Sequence, residues 1–287
     1  MMPKRMYLAI RNPRFSREQF RMRWRQHGAL AMSQGTWKAG VVRYVHSDAL
    51  PYAGGLFGAT DQFDGAGTVY YASAEARRRR ANEPAERPPI LKDEDETFAG
   101  RVNPWGLVAT ERLLRDGPVG GIKAARYLWR RMGITPAQFR ESWEHGHAGL
   151  VLGNPAISRH VRRYAQSDPL EPENGPSWGL DCDGVEETWY ESLDSLIRAH
   201  MDPTYAAVIE ADRARFVGRC ILLLATDVVL YDTRNPSAVD EAPVYPPYPR
   251  CELSRGCHSA CLEEAERCQS RSDPHRRAEW TCIRMPV

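Results

Sequence analysis

Three places in this chain carry residue types at a spacing that could move a proton. In QFRESWEHGHAGLV (138–151), Phe139, Trp143 and His147 follow one another at four-residue intervals. On a helix that spacing makes one stripe, aromatic at its start and ending in an imidazole. Histidine is the usual general acid or base near neutral pH, so His147 leads the candidates. The competing reading is a helix-end histidine that bonds a carbonyl or eases the helix dipole. In the strand pattern VEETWY (185–190), alternation puts Val185, Glu187 and Trp189 on one face. A carboxylate facing a closed interior would be desolvated, its pKa raised toward the range of a proton relay. The bland alternatives are a solvated face or a pairing with an arginine such as Arg163. Tyr164 and Tyr44 each close an Arg-Tyr pair. Inside an apolar cavity their hydroxyls could orient a phenol or carbonyl, although a core aromatic with its hydroxyl at the edge is the commoner case. Trp143, Trp189, Tyr44 and His27 are the further candidates for lining a ligand. Asp64 and Asp183 precede glycines, which is turn chemistry first. His46 and His145 have no positional argument and are expected at the surface.

The elements that must hold these residues are written twice. QFRMRWRQHGALA (19–31) answers QFRESWEHGHAGLV, and RYVHSDAL (43–50) answers RYAQSDPL (163–170). FDGAGTVYYAS (63–73) answers CDGVEETWYES (182–192), TFAGR (97–101) answers RFVGR (215–219), and VATE (108–111) answers LATD (224–227). The order is unbroken and the offset stays near 120 residues, the mark of an internal repeat. Ser16 with Gln19, and Thr135 with Gln138, have capping-box spacing, and Pro136 suits a first helical position. Phe15 with Phe20, and Ile134 with Phe139, have the spacing of a hydrophobic staple. Strand patterns at 6–11, 41–46, 67–72 and 105–114 recur at 124–130, 161–166, 185–190 and 220–232, with second helices starting near Ser73 and Ser192. The expected fold is therefore α+β: two tandem ferredoxin-like βαββαβ units, residues 1–116 and 121–232, burying their sheets against each other as an intramolecular barrel. Residues 233–287 read as a Pro-rich linker and a Cys-rich tail.

Composition narrows the classes. The chain has 287 residues, 42% hydrophobic and 26% charged, with a formal net charge of +2. That is ordinary for a globular protein and gives no nucleic-acid footprint. The Arg77–Arg80 run is expected to be a solvated helix face. No apolar segment is long enough to span a membrane, and the N-terminus lacks a signal-peptide pattern, so the expected compartment is the cytoplasm. Five of seven cysteines lie after residue 250, at spacings that match no common zinc site. There is no phosphate-binding loop, and Gly65-Ala66-Gly67 is only part of a dinucleotide fingerprint. No metal and no cofactor are expected.

The phrases TPAQFRESWEHGHAGLV, RRYAQSD, CDGVEETWYESLDSL and DRARFVGR together resemble the EthD family, within the dimeric α+β barrel superfamily. The resemblance runs over roughly residues 5–232. It implies a single-chain pseudo-dimer, free to associate further through its outer surfaces, and a cavity for a small molecule. Relatives in that superfamily include cofactor-free monooxygenases on anthrone-like polyketides, dehydratases and decarboxylases of aromatic polyketide pathways, and lactone isomerases. The leading expectation is a cofactor-independent small-molecule enzyme in which His147 moves a proton, Glu187 orients or relays it and Tyr164 fixes a substrate oxygen. A non-catalytic binding or accessory protein is the alternative. One mismatch stands out. His27 is three residues after Trp24, whereas His147 is four after Trp143. On a continuous helix the extra residue turns a side chain by about 100° unless a bulge corrects it.

Overall fold

The computed structural model describes residues 2–51, 54–82, 87–170 and 179–239; the Cys-rich tail lies outside them. The first half runs β1 (Met2–Ala9), α1 (Arg17–Ser33), α2 (Gly35–Lys38), β2 (Val41–Ala49), β3 (Gly65–Tyr71), α3 (Ala74–Asn82), α4 (Arg87–Thr97) and β4 (Gly106–Arg115). The second runs β5 (Ile122–Arg130), α5 (Pro136–Arg140), a π-helical turn (Glu141–His147), α6 (Ala148–Gly153), α7 (Pro155–Ser158), β6 (Val161–Pro169), β7 (Gly184–Tyr190), α8 (Leu193–Met201), a second π-helical turn (Tyr205–Glu210), α9 (Ala211–Phe216) and β8 (Val217–Asp232). Both capping boxes form, Ser16 with Gln19 and Thr135 with Gln138. Phe15 and Ile134 pack on the clusters that contain Phe20 and Phe139. Asp64 and Asp183 tie down the chain at the ends of β1 and β5. Each accepts a backbone N–H, from Arg11 at 2.9 Å and Arg130 at 2.7 Å, together with that residue's guanidinium.

The eight strands close into one antiparallel barrel of order β4-β1-β3-β2-β8-β5-β7-β6. Each half supplies four consecutive strands in the ferredoxin-like order, and the pairs β2–β8 and β4–β6 join the halves. Closure leaves no unpaired sheet edge. Side chains alternate between the lumen and the helix-covered outer face. Met6, Leu8, Ala66, Leu107, Ala109, Ala125, Tyr127, Val185, Leu223 and Ala225 form one buried cluster from strands all around the barrel, so they face the lumen.

The lumen also holds charge. Lys4 Nζ lies 2.7 Å from Glu111 and 2.6 Å from Glu187, and Lys123 Nζ lies 3.2 Å from Glu187 and 2.8 Å from Asp227. Trp189 Nε1 donates to Asp227 at 2.9 Å, and Tyr70 to Glu111 at 3.1 Å. This network crosses between halves, since Lys4 is on β1 and Glu187 on β7. Isolated charges buried this deeply would be very costly, and mutual pairing is what makes the burial tolerable. Among the described residues no helix is long and apolar enough to cross a membrane.

Candidate functional site

On the outer face of β7, Glu186 meets the helix that carries His147. The pleat sends Glu186 and Glu187 to opposite sides of the sheet, so the expected His147–Glu187 pair does not form. Glu187 does face the lumen with Val185 and Trp189, but its pKa moves against expectation. Burial pulls it up; the Lys4 and Lys123 ammoniums outweigh burial and hold it down at about 2. Its partners are those two lysines, and Arg163 pairs instead with Asp116.

Glu186 is fully enclosed and surrounded by donors. Tyr164 donates to its Oε2 at 2.9 Å and Trp143 Nε1 at 3.4 Å, while Arg213 Nη2 and Arg126 Nη1 approach Oε1 at 3.4 and 3.7 Å. Burial pulls its pKa up, but Arg213, His147 and Arg126 hold it at about 2. Cross-strand register builds the row: Arg126 on β5 and Gln166 on β6 lie directly opposite Glu186. Trp143 lies flat on β7 because Gly184 has no side chain; a Cβ there would sit 2.6 Å from the indole.

His147 is completely buried. Its Nδ1 lies 2.9 Å from Asp212 Oδ2 on α9, so that nitrogen carries a proton. Its Nε2 sits between an acceptor and a donor, Glu186 Oε2 at 3.6 Å and Arg213 Nη2 at 3.4 Å. Glu186 can accept a hydrogen bond from Nε2 and Arg213 can donate one to it, so both faces of that nitrogen's chemistry have a partner within reach. Beyond Arg126 lies a third layer. Arg126 Nη2 donates to His200 Nε2 at 2.8 Å and to Tyr205 at 3.1 Å. His200 Nδ1 donates to Leu196 O at 3.0 Å, and burial together with Arg126 keeps the ring neutral, its pKa down at about 3.

The structure brings His147, Trp143 and Tyr164 together and leaves the other candidates elsewhere. Trp189 and Glu187 are in the lumen. Tyr44 and His27 belong to the first half, where Tyr44 shares a 2.9 Å hydrogen bond with Tyr7 and His27 pairs with Asp93 at 2.6 Å. The spacing mismatch between the histidines is absorbed by the π-helical turn Glu141–His147, whose wider turn accommodates one extra residue. Accordingly each ring reaches a carboxylate through Nδ1 and stands edge-on to a phenylalanine, His27 to Phe98 at 5.3 Å and His147 to Phe216 at 5.5 Å. His145 is exposed as expected. His46 is not; it is fully buried and stacked on Trp24 at 3.9 Å. Sequence reasoning missed Glu186, Asp212, Arg213, Arg126 and His200. Asp212 and Arg213 open DRARFVGR (212–219), and the polar start of that phrase is the signal that could have found them. Among the described residues no group of three His, Cys, Asp or Glu is placed to hold a metal ion.

Residues 131–219 match the EthD domain family model. A comparison with curated protein sequences finds no match. Among solved structures, a candidate monooxygenase from Fusobacterium nucleatum subsp. nucleatum superposes with a TM-score of 0.50 at 8% identity, covering 79% of this chain and 91% of its own. An anthrone oxidase-like protein gives 0.49 at 9% identity, over 79% and 91%. A mutant chlorite dismutase from Candidatus Nitrospira defluvii gives 0.45 at 8% identity, over 78% and 91%. At 8% identity the likeness to the first of these is one of fold alone. The span that matches the EthD domain model, residues 131–219, is the one that carries His147, Tyr164, Glu186, Asp212 and Arg213.

Proposed function

We propose that the chain is a small-molecule enzyme whose second half transfers a proton through His147, without a cofactor, on an aromatic or polyketide-like compound. The observation that carries this reading is the setting of the ring, with Asp212 on Nδ1 and Glu186 and Arg213 flanking Nε2. Asp212 is a positioning residue: it fixes the tautomer so that the Nε2 lone pair is the basic one. Loss of a substrate proton to Nε2 leaves an imidazolium between two carboxylates, Asp212 and Glu186, which offset its charge. Tyr164 holds Glu186 rather than a substrate oxygen, because its proton is already given to that carboxylate. Abstraction of such a proton opens the way to oxygenation, dehydration or decarboxylation. The names borne by the fold relatives, monooxygenase and anthrone oxidase-like, agree with chemistry on an activated carbon. The recurring sequence phrases and the matched strand orders further support a tandem duplication, with units at 1–116 and 121–232 that form their own pseudo-dimer.

A ligand carrier without turnover is the second reading, favoured by the complete enclosure of His147. Calorimetry against anthrones, hydroxylated aromatics and lactones, with each mixture checked for product, separates the two. Product formed by the wild type and lost in His147→Ala supports the enzyme. Tight binding with every compound recovered unchanged rejects it in favour of the carrier.

A further inference from the structure

The first half builds a different arrangement on the same frame. His27 Nδ1 meets Asp93, which also takes the Arg23 guanidinium, so Nδ1 bears a proton and Nε2 is the basic nitrogen of the neutral ring. The row that reads Arg126, Glu186 and Gln166 in the second half reads Tyr7, Gly67 and His46 here. No charged residue stands in it. The ring of Tyr7 fills the space that a side chain at position 67 would need, since a Cβ on Gly67 would lie 2.2 Å from that ring. Trp24 Nε1 donates to the Tyr7 hydroxyl at 3.1 Å, and that hydroxyl is shared with Tyr44.

His46 is the unusual member. Arg25 Nη1 lies 2.7 Å from its Nδ1, and a guanidinium can only donate. Nδ1 is therefore the acceptor and the ring proton sits on Nε2. That N–H is buried and has no hydrogen-bond partner among the described residues. Orphaned buried donors are rare in folded proteins and call for a reason. Burial first, then Arg25 and His27, hold the pKa of His46 well below the ordinary value, so it remains a neutral donor. Its ring edge packs against α1 at Gly28, the residue after His27; a Cβ on Gly28 would come 3.2 Å from His46 Cε1. In the second half Gln166 takes this place, and its amide is already given to the Trp143 carbonyl at 3.0 Å.

We infer that the first half holds a second site, with no carboxylate in the strand row where the second half has Glu186, for a small ketone, with His27 as base and the His46 Nε2–H as donor to the carbonyl oxygen. In the step this implies, His27 Nε2 takes a proton from the carbon beside the carbonyl. The C–H electron pair becomes the enolate C=C, and the charge developing on oxygen is met by His46. Return of a solvent proton from His27 regenerates the ketone, so the net result is hydrogen exchange. This rests on residues separate from the His147 site and stands or falls apart from it.

The test uses the full chain. Acetophenone is incubated in D2O with the His147→Ala variant, and methyl deuteration is followed by NMR. Exchange above the buffer rate is expected, falling about tenfold or more on adding either His27→Gln or His46→Phe. His46→Phe keeps a ring on Trp24 and deletes the donor. Exchange at the buffer rate in His147→Ala, or a rate that neither second substitution lowers, overturns the proposal. An independent reading comes from 15N imidazole spectra of the wild type at pH 5.5. His46 is expected neutral with its proton on Nε2 and shifted by added acetophenone; a charged ring, the Nδ1–H tautomer, or no response to the ketone refutes it.

Discussion

Replacing Glu187 by Gln tests the charged lumen and separates it from the site outside the barrel. The carboxyl is held at about 2, against an ordinary 4.5, by Lys4 and Lys123. That depression is worth about 3 kcal/mol of native stability at neutral pH. The sign follows from proton binding. Below pH 4.5 the unfolded chain takes up a proton at this residue that the folded barrel refuses until about pH 2. The contribution is therefore complete above 4.5 and drains away as the pH falls toward 2. Glu187→Gln lacks it at every pH. Lys4 keeps Glu111 and Lys123 keeps Asp227 in the variant, so neither ammonium is left bare and the fold should survive. Urea unfolding followed by tryptophan fluorescence at several pH values between 7 and 2.5 gives the curves, with Trp189 reporting from within the lumen. The variant is expected to be less stable by about 3 kcal/mol at pH 7, with the gap closing steadily below pH 4.5. A gap that stays constant down to pH 2.5, or no gap at pH 7, refutes the reasoning.

Other expectations follow from the same geometry. Asp212→Asn should leave the fold intact, as judged by circular dichroism, and lower kcat/KM by about 100-fold or more, because an amide can donate to Nδ1 and drive the His147 proton onto Nε2; unchanged turnover would remove Asp212 from the machinery. His200→Gln retains an acceptor for Arg126 but not the titrating ring. The wild type, with its ring held neutral to about pH 3, loses up to about 5 kcal/mol as the pH falls from 6.5 through 3, and urea unfolding across that range should show the variant spared this loss. Gly67→Ala puts a methyl group into the Tyr7 ring and should cost about 1–3 kcal/mol in the same assay; a neutral substitution would mean that Tyr7 moves aside freely.

Local chemistry made much of the architecture legible. The helix starts at Ser16 and Thr135 were readable because a capping box uses only residues three apart. The strand faces of 185–190 were readable because the pleat alternates whatever lies around it, which placed Glu187 in the lumen. Alternation could not say what else faced that lumen. Lys4 and Lys123 come from strands 183 and 64 residues away, and they reversed the direction of the pKa. Nor could it rank two adjacent glutamates. Glu186 became the partner of His147 because β7 turns that face toward the helices, where Arg213 and Tyr164 converge on it. The extra residue between Trp143 and His147 was visible as a spacing, but only the backbone could absorb it as a π-helical turn. His46 shows the limit most clearly. In sequence it is one polar residue in a strand, and its burial, tautomer and orphaned N–H all depend on Trp24 and Arg25, brought against it by the packing of α1 on the barrel. The sequence by itself determined which elements form and which faces they bury, because those depend on neighbours along the chain. The tertiary structure alone decided which charges meet, because electrostatic pairing depends on distances that chain closure sets.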